Sequence, residues 1–199
     1  AERLAASPHI VGLRCLRVTR SALSIAGLGR LVSLTRSGLR ELELDEHRAI
    51  GEAEVVRLVA TGEIDRLRLL DLSNIAFGPR VANALAGARA LAGLEVLWLS
   101  YGADAAGTPL RGPGAVALAE SPYLRGLTEL DLYGQELRKR GAQAFAAAYA
   151  WPRLKRLGLC GNGIPASAIP AFAANPYMRS LSVLDFRSND IRAEDLGPL

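Results

Sequence analysis

Seven copies of one leucine pattern recur along this chain at a nearly constant interval. Each copy reads L-x-x-L-x-L, with Val or Phe also found at the last position, and the copies start at residues 13, 39, 67, 94, 127, 154 and 181. The intervals are therefore 26, 28, 27, 33, 27 and 27 residues. Apolar residues that alternate with outward ones predict a strand, and the rest of each period, such as residues 141–149, is typical of a helix. One strand and one helix cannot bury their own apolar faces, so this period predicts a stack of repeats that pack on their neighbours.

The repeats predict an α/β solenoid that forms a single domain over residues 1–199. About seven parallel strands should line the concave face of a horseshoe, with helices on its convex face. The composition is that of an ordinary globular chain, because 50% of the residues are hydrophobic and 22% are charged. The net charge of +4 is too mild to indicate a nucleic-acid partner by itself.

A longer unit, L-x-x-L-x-L-x-x-N-x-I, is intact at residues 154–164 and 181–191. With the 27-residue period it resembles the ribonuclease-inhibitor-like class of leucine-rich-repeat proteins, and residues 117–127 are similar to repeats of its bacterial members. The resemblance covers nearly the whole chain and implies the fold, but it implies little about function because the class has many roles. The turn Asn of this unit is replaced in the earlier repeats, where we expect less regular turns, by Ser21, His47, Ile75, Gly102 and Gln135.

The N-terminus shows no signal-peptide pattern, and no apolar run approaches the ~18 residues that a membrane span needs. We therefore expect a cytoplasmic protein, which the resemblance implies is bacterial, although a targeting signal upstream of Ala1 would be invisible. Residues 1–12 look like the end of an earlier helix and its turn, so we expect a fragment of a longer chain whose uncapped ends could self-associate. Cys15 and Cys160 fall on the first and sixth strands, too far apart for a disulfide.

Catalytic signatures are missing from the sequence, so we expect a protein that is not an enzyme. Its only histidines, His9 and His47, fall on different repeats, and Cys160 has no histidine in repeat register that could activate it. The chain has no cluster with zinc-ligand spacing, no phosphate-binding loop and no nucleophile elbow. We expect no metal, cofactor or small-molecule substrate.

The outward strand positions include two aromatic residues, Trp98 and Tyr133, on neighbouring strands. Aromatic side chains are typical anchors of protein interfaces, so we predict a partner-binding patch around them. In the alternative, the insertion at residues 101–113 folds over Trp98 and makes a small local core. That insertion is either a gate or second contact, or simply a tolerated surface loop. The predicted patch also includes Asp71, Asp131, Tyr101 and Glu43. Glu43 belongs to the acidic second strand, whose charged side chains could alternatively just face solvent.

A basic cluster stands where strands lead into helices, on one rim of the predicted solenoid. Cations near a helix N-terminus oppose the helix dipole. Because this placement is unfavourable for the helix itself, it favours a role for these residues in binding an acidic partner or phosphates. An ordinary solvated rim is the alternative. The cluster consists of Arg111, Arg138, Lys139 and Arg140.

These observations favour a protein–protein interaction module that recognises its partner on a rigid concave face. Two alternatives remain open. The first is regulation of a GTPase or another enzyme through rim residues, as in the similar repeats of Ran's GTPase-activating protein. The second is nucleic-acid binding through the basic rim, which we place behind protein binding and which predicts a steep dependence on salt.

Overall fold

The computed structural model describes residues 8–19, 25–35, 38–46, 50–75, 78–102, 108–148 and 151–196. Ser21, His47 and the N-terminal segment 1–7 lie outside these residues, as does the middle of the predicted insertion, residues 103–107. Seven short strands pair in parallel, each with the next along the chain. The strands are β1 (Cys15–Arg17), β2 (Glu41–Glu43), β3 (Leu69–Asp71), β4 (Val96–Trp98), β5 (Glu129–Asp131), β6 (Arg156–Gly158) and β7 (Val183–Asp185).

Helices follow the first six strands, in the order that the repeats predict. Short 3₁₀ turns precede several strands, including Arg89–Gly93, Leu124–Gly126 and Pro176–Ser180. The prediction of one open parallel sheet with helices is thus confirmed, and it fits a leucine-rich-repeat-like fold. The α-helices are α1 (Ile25–Thr35), α2 (Glu52–Ala60), α3 (Pro79–Gly87), α4 (Arg111–Ala119), α5 (Arg138–Ala146) and α6 (Ile169–Ala174).

The middle residues of β1 to β6 are buried in the hydrophobic core, because side chains alternate between the two sides of a strand. Leu42, Leu70 and Leu97 are 0% exposed. Leu184, the middle residue of β7, is 37% exposed. The first and third residues of each strand lie on the other side of the sheet, which we refer to as the open face. Neighbouring repeats thus bury each other's leucines, while the open face carries a mixture of polar, aromatic and aliphatic side chains.

Small residues let adjacent helices approach closely. A Cβ atom on Gly141 of α5 would lie 2.7 Å from the Leu137 Cβ atom and 3.0 Å from that of Ala115 in α4. A Cβ atom on Gly114 would likewise lie 3.1 Å from the Ala82 Cβ atom in α3. The glycines therefore avoid crowding both with the leucine at the start of their own helix and with the alanine of the preceding helix.

Two helix starts lie earlier than the sequence analysis assumes. Arg111 is the first residue of α4, so the last residues of the predicted 101–113 loop form the first helical turn. Residues 138–140 form the first turn of α5 rather than a link between strand and helix. Among the described residues, no helix is both long enough and apolar enough to cross a membrane.

Candidate functional site

The third residues of the seven strands form one row across the open face. The strand register places Trp98 directly between Asp71 and Asp131, as the sequence analysis predicts. On the far side of Asp131 come Gly158 and then Asp185. Neighbouring strands are about 4.8 Å apart, so each side chain of this row contacts or faces the next.

Trp98 is half-buried and its indole is held in one orientation. Its Nε1 atom donates a hydrogen bond to the Glu129 Oε1 atom on β5 at 2.9 Å. The other oxygen of Glu129 lies 3.4 Å from the Arg156 Nε atom on β6. The indole is thus tied to a chain of polar contacts that crosses three strands, with part of its ring left open to solvent.

The two aspartates beside Trp98 stabilise the turns that follow their own strands. Asp71 accepts the backbone N–H of Ser73 at 2.8 Å, and Asp131 accepts that of Tyr133 at 3.0 Å. Burial raises the pKa of both carboxyl groups above the ordinary value of 3.8. Asp71 is only 7% exposed, so its role as a partner contact stays a prediction. Asp131 is more open.

Tyr133 is the most exposed aromatic side chain of the open face, with 43% of its surface accessible. Its ring lies against Gly161, where a Cβ atom would be 3.2 Å from the Tyr133 Cε2 atom. Tyr101 is half-buried against the core, and its N–H donates to the Tyr133 carbonyl at 2.7 Å. Tyr133 is therefore available to a partner, whereas the backbone of Tyr101 supports the turn beneath it.

A groove of about 440 Å³ runs across β5, β6 and β7 on the open face. Gly158 lies at its middle, and Asp131, Tyr133, Asp185 and Arg187 are among the residues that line it. The sequence pattern does not reveal this groove, because it predicts which side chains project from the sheet and not where one is missing. The available signal was the single glycine in a row of outward positions that otherwise carry side chains.

The opposite end of the sheet carries a compact acidic group. Cys15 and Glu41 are paired across β1 and β2, and with Glu43 they could bring three ligand atoms within 4.8 Å of one another. The Arg17 Nε atom already lies 2.8 Å from the Glu43 Oε1 atom, and its NH2 atom lies 4.0 Å from Glu41. The Arg17 guanidinium group thus lies where a metal ion would bind, and Glu43 is already ion-paired within the chain.

The basic residues of the rim come together around the starts of α4 and α5. A second cavity of about 390 Å³ is lined by Arg111, Arg138 and Arg140, together with Glu136. The Arg111 Nε atom lies 3.4 Å from the Glu136 Oε2 atom. Within the described part of the chain, no carboxylate lies within 4.0 Å of the cationic groups of Arg138, Lys139 or Arg140. Three of the four predicted basic residues thus line one cavity, Lys139 does not, and a binding role for the cluster stays a prediction.

Comparison with known proteins adds little to this geometry. The sequence matches no family profile and no curated protein. Among solved structures, it is similar to a chain of the crystal structure of the Rad7 and Elc1 complex in yeast, with 12% sequence identity and a TM-score of 0.44. The match covers 92% of this chain and 59% of that chain.

Proposed function

We propose that this chain is a protein-interaction module that binds a protein partner on the open face of its sheet. The groove across β5, β6 and β7 carries the proposal, because it joins an exposed tyrosine to a set of charged side chains within about 440 Å³. Tyr133 is the main anchor, and Trp98 extends the surface toward β4. Aromatic residues surrounded by polar groups are the usual composition of an interface centre.

The rigidity of the open face supports the proposed role in protein binding. Strands β2 to β6 are each fixed by parallel pairing on both sides, β7 is fixed by its pairing with β6, and the turns after β3 and β5 are fixed by Asp71 and Asp131. A surface that is already ordered loses little conformational entropy when a partner binds. The proposal takes the open face as the concave side of a ribonuclease-inhibitor-like horseshoe with helices on the convex side, in a bacterial cytoplasmic protein that acts by binding and not by catalysis.

Site-specific photocrosslinking in the native cell tests the proposal. A photoreactive phenylalanine derivative at position 133 should give one discrete adduct with a protein, and the same residue at position 177, an exposed tyrosine outside the groove, should give none. Substitution of Trp98 by Ala should remove the adduct without unfolding the chain. With the purified partner, Tyr133→Ala should raise Kd about 30-fold or more, the effect of losing a binding anchor, while Tyr177→Ala leaves Kd unchanged. Equal adducts at both positions would overturn the proposal.

The basic rim supports a second candidate function, nucleic-acid binding. Arg138 and Arg140 line one cavity, and neither these residues nor Lys139 between them has an acidic partner within 4.0 Å in the chain segments that the structure describes. Phosphate binding by these residues would weaken steeply as salt concentration rises. Filter binding at two salt concentrations, with Lys139→Ala as the variant, would separate this function from protein binding at the groove. The GTPase-regulating alternative has no specific observation in its favour.

A further inference from the structure

Gly158 interrupts a row of side chains and leaves a gap in the open face. It lies between Asp131 on β5 and Asp185 on β7 in the strand register. A Cβ atom at this position would be 2.7 Å from the Asp131 Oδ1 atom and 3.1 Å from its Cγ atom. The Asp131 carboxylate therefore leans into the space that a larger residue at position 158 would fill, and this space is the floor of the groove.

The charges around the gap do not balance. Three carboxylates and two guanidinium groups line the groove. The Arg156 Nε atom lies 3.4 Å from Glu129, and Arg187 holds Asp185 through bonds as short as 2.6 Å. Among the described residues, no cationic group lies within 4.0 Å of Asp131. Asp131 is thus the carboxylate of the groove that has no counter-charge.

The position of Asp131 is fixed before any partner binds. Its Oδ1 atom accepts the Tyr133 N–H at 3.0 Å, and the hydroxyl of Ser100 also donates to its carboxylate. Burial raises the pKa of this carboxyl group, which means that its charge is incompletely solvated. A cation placed over Gly158 would reduce the free-energy cost of burying the Asp131 charge. The Tyr133 ring borders the same space and would make a cation–π contact with that cation.

We infer that the gap over Gly158 receives the guanidinium group of an arginine side chain from the protein partner. A planar guanidinium can donate two hydrogen bonds to Asp131 and stack on the Tyr133 ring at the same time, which a lysine ammonium cannot do. Asp185, already bound by Arg187, forms the far wall of the gap. This inference rests on the proposed function and gives it a chemical specificity.

Peptide titration followed by NMR tests the inference. The probes are acetyl-Gly-Arg-Gly-amide and its citrulline counterpart, which keeps the shape of the side chain and lacks the charge. The arginine peptide should shift the amide signals of Gly158 and Tyr133 in a saturable manner, and it should bind at least about tenfold more tightly than the citrulline peptide. Asp131→Asn keeps the acceptor oxygen and should abolish this preference. Asp65→Asn, which removes the same charge at an exposed position before β3, should retain it.

Gly158→Ala is a second variant, because its methyl group would fill the gap and crowd the Asp131 carboxylate without changing any charge. It should weaken binding of the arginine peptide at least about fivefold, and the dispersion of its amide signals should report an intact fold. Equal binding of the two peptides, or full binding by Asp131→Asn, would overturn the inference. Such a result would leave the proposed function intact if the adduct at position 133 still forms. Failure of that adduct would instead overturn the proposed function and, with it, the arginine site.

Discussion

The side-chain amide of Asn162 donates a hydrogen bond of 2.8 Å to the carbonyl of Leu132, the last inward leucine of the preceding repeat. Asn189 donates in the same way to the Leu159 carbonyl at 2.8 Å, and Gln135 donates to that of Leu99. In each of these repeats, a side-chain amide in the turn after the strand thus provides the hydrogen bond for a backbone carbonyl of the preceding repeat. Gln135 performs this role although the sequence pattern marks it as a departure from Asn.

Substitution of Asn162 by Ala should destabilise the chain by about 2–3 kcal/mol, because it leaves buried backbone groups without a partner. The Leu137 N–H, which Asn162 accepts at 3.3 Å, loses its partner together with the Leu132 carbonyl. Asn189→Ala should cost a similar amount, because the Asn189 side chain accepts the N–H groups of Asn162 and Ile164 and donates to the Leu159 carbonyl. Urea unfolding measures both variants, and a loss well below about 1 kcal/mol in either one would contradict this role of the turn amides.

Two glycine substitutions should act in opposite directions. Gly141→Ala should destabilise the fold by about 1–3 kcal/mol, because the new methyl group would overlap Leu137 and crowd Ala115 of the neighbouring helix. Gly29→Ala lies within α1, where a Cβ atom would meet nothing within 4 Å. That change should stabilise the chain by about 0.5–1 kcal/mol through the higher helix propensity of Ala. Thermal unfolding measures both, and a loss of stability in Gly29→Ala would show that the packing of α1 is misjudged.

The periodic part of the molecule could be predicted from the sequence, and the groove could not. Strand positions, their order and the row that includes Asp71, Trp98 and Asp131 follow from the leucine spacing, because the spacing fixes the register of one repeat on the next. The groove depends on an absent side chain, Gly158, and on ion pairs between strands that take up neighbouring charges. Periodicity does not determine which charges remain unpaired, so the unpaired carboxylate of Asp131 could be recognised only in the three-dimensional structure.

The stability of the chain should depend on pH through Asp71. Burial raises its pKa in the folded chain above the ordinary value of 3.8, so just above that value the folded state binds more protons than the unfolded state. The contribution of this group to stability is therefore lost as the pH rises through its folded pKa. Asp71→Asn should reduce that loss in urea unfolding measured over the acid range, while still accepting the Ser73 N–H.

Asp185 is the matched control for this pH dependence, because its pKa is shifted the other way. Hydrogen bonds from Arg187 hold the pKa of Asp185 below 3.8, so its contribution is present at neutral pH and lost as the pH falls below that value. Asp185→Asn should therefore change stability at neutral pH and lose its effect in strong acid. Identical pH profiles for Asp71→Asn and Asp185→Asn would show that neither carboxyl group has the environment described here.

The accessibility of Trp98 decides between an open binding surface and a local core beneath the inserted segment. The chain has two tryptophans, and Trp151 is 3% exposed and stacked on Phe145 at a ring-centroid distance of 5.3 Å. Trp151→Phe leaves Trp98 as the only indole, and Trp98→Phe leaves only Trp151. Acrylamide should quench the fluorescence of the first variant several-fold more strongly than that of the second, because only the Trp98 ring is partly open to solvent. Equal quenching constants would mean that residues 101–113 cover Trp98, and the partner surface would then be confined to the groove around Tyr133 and Gly158.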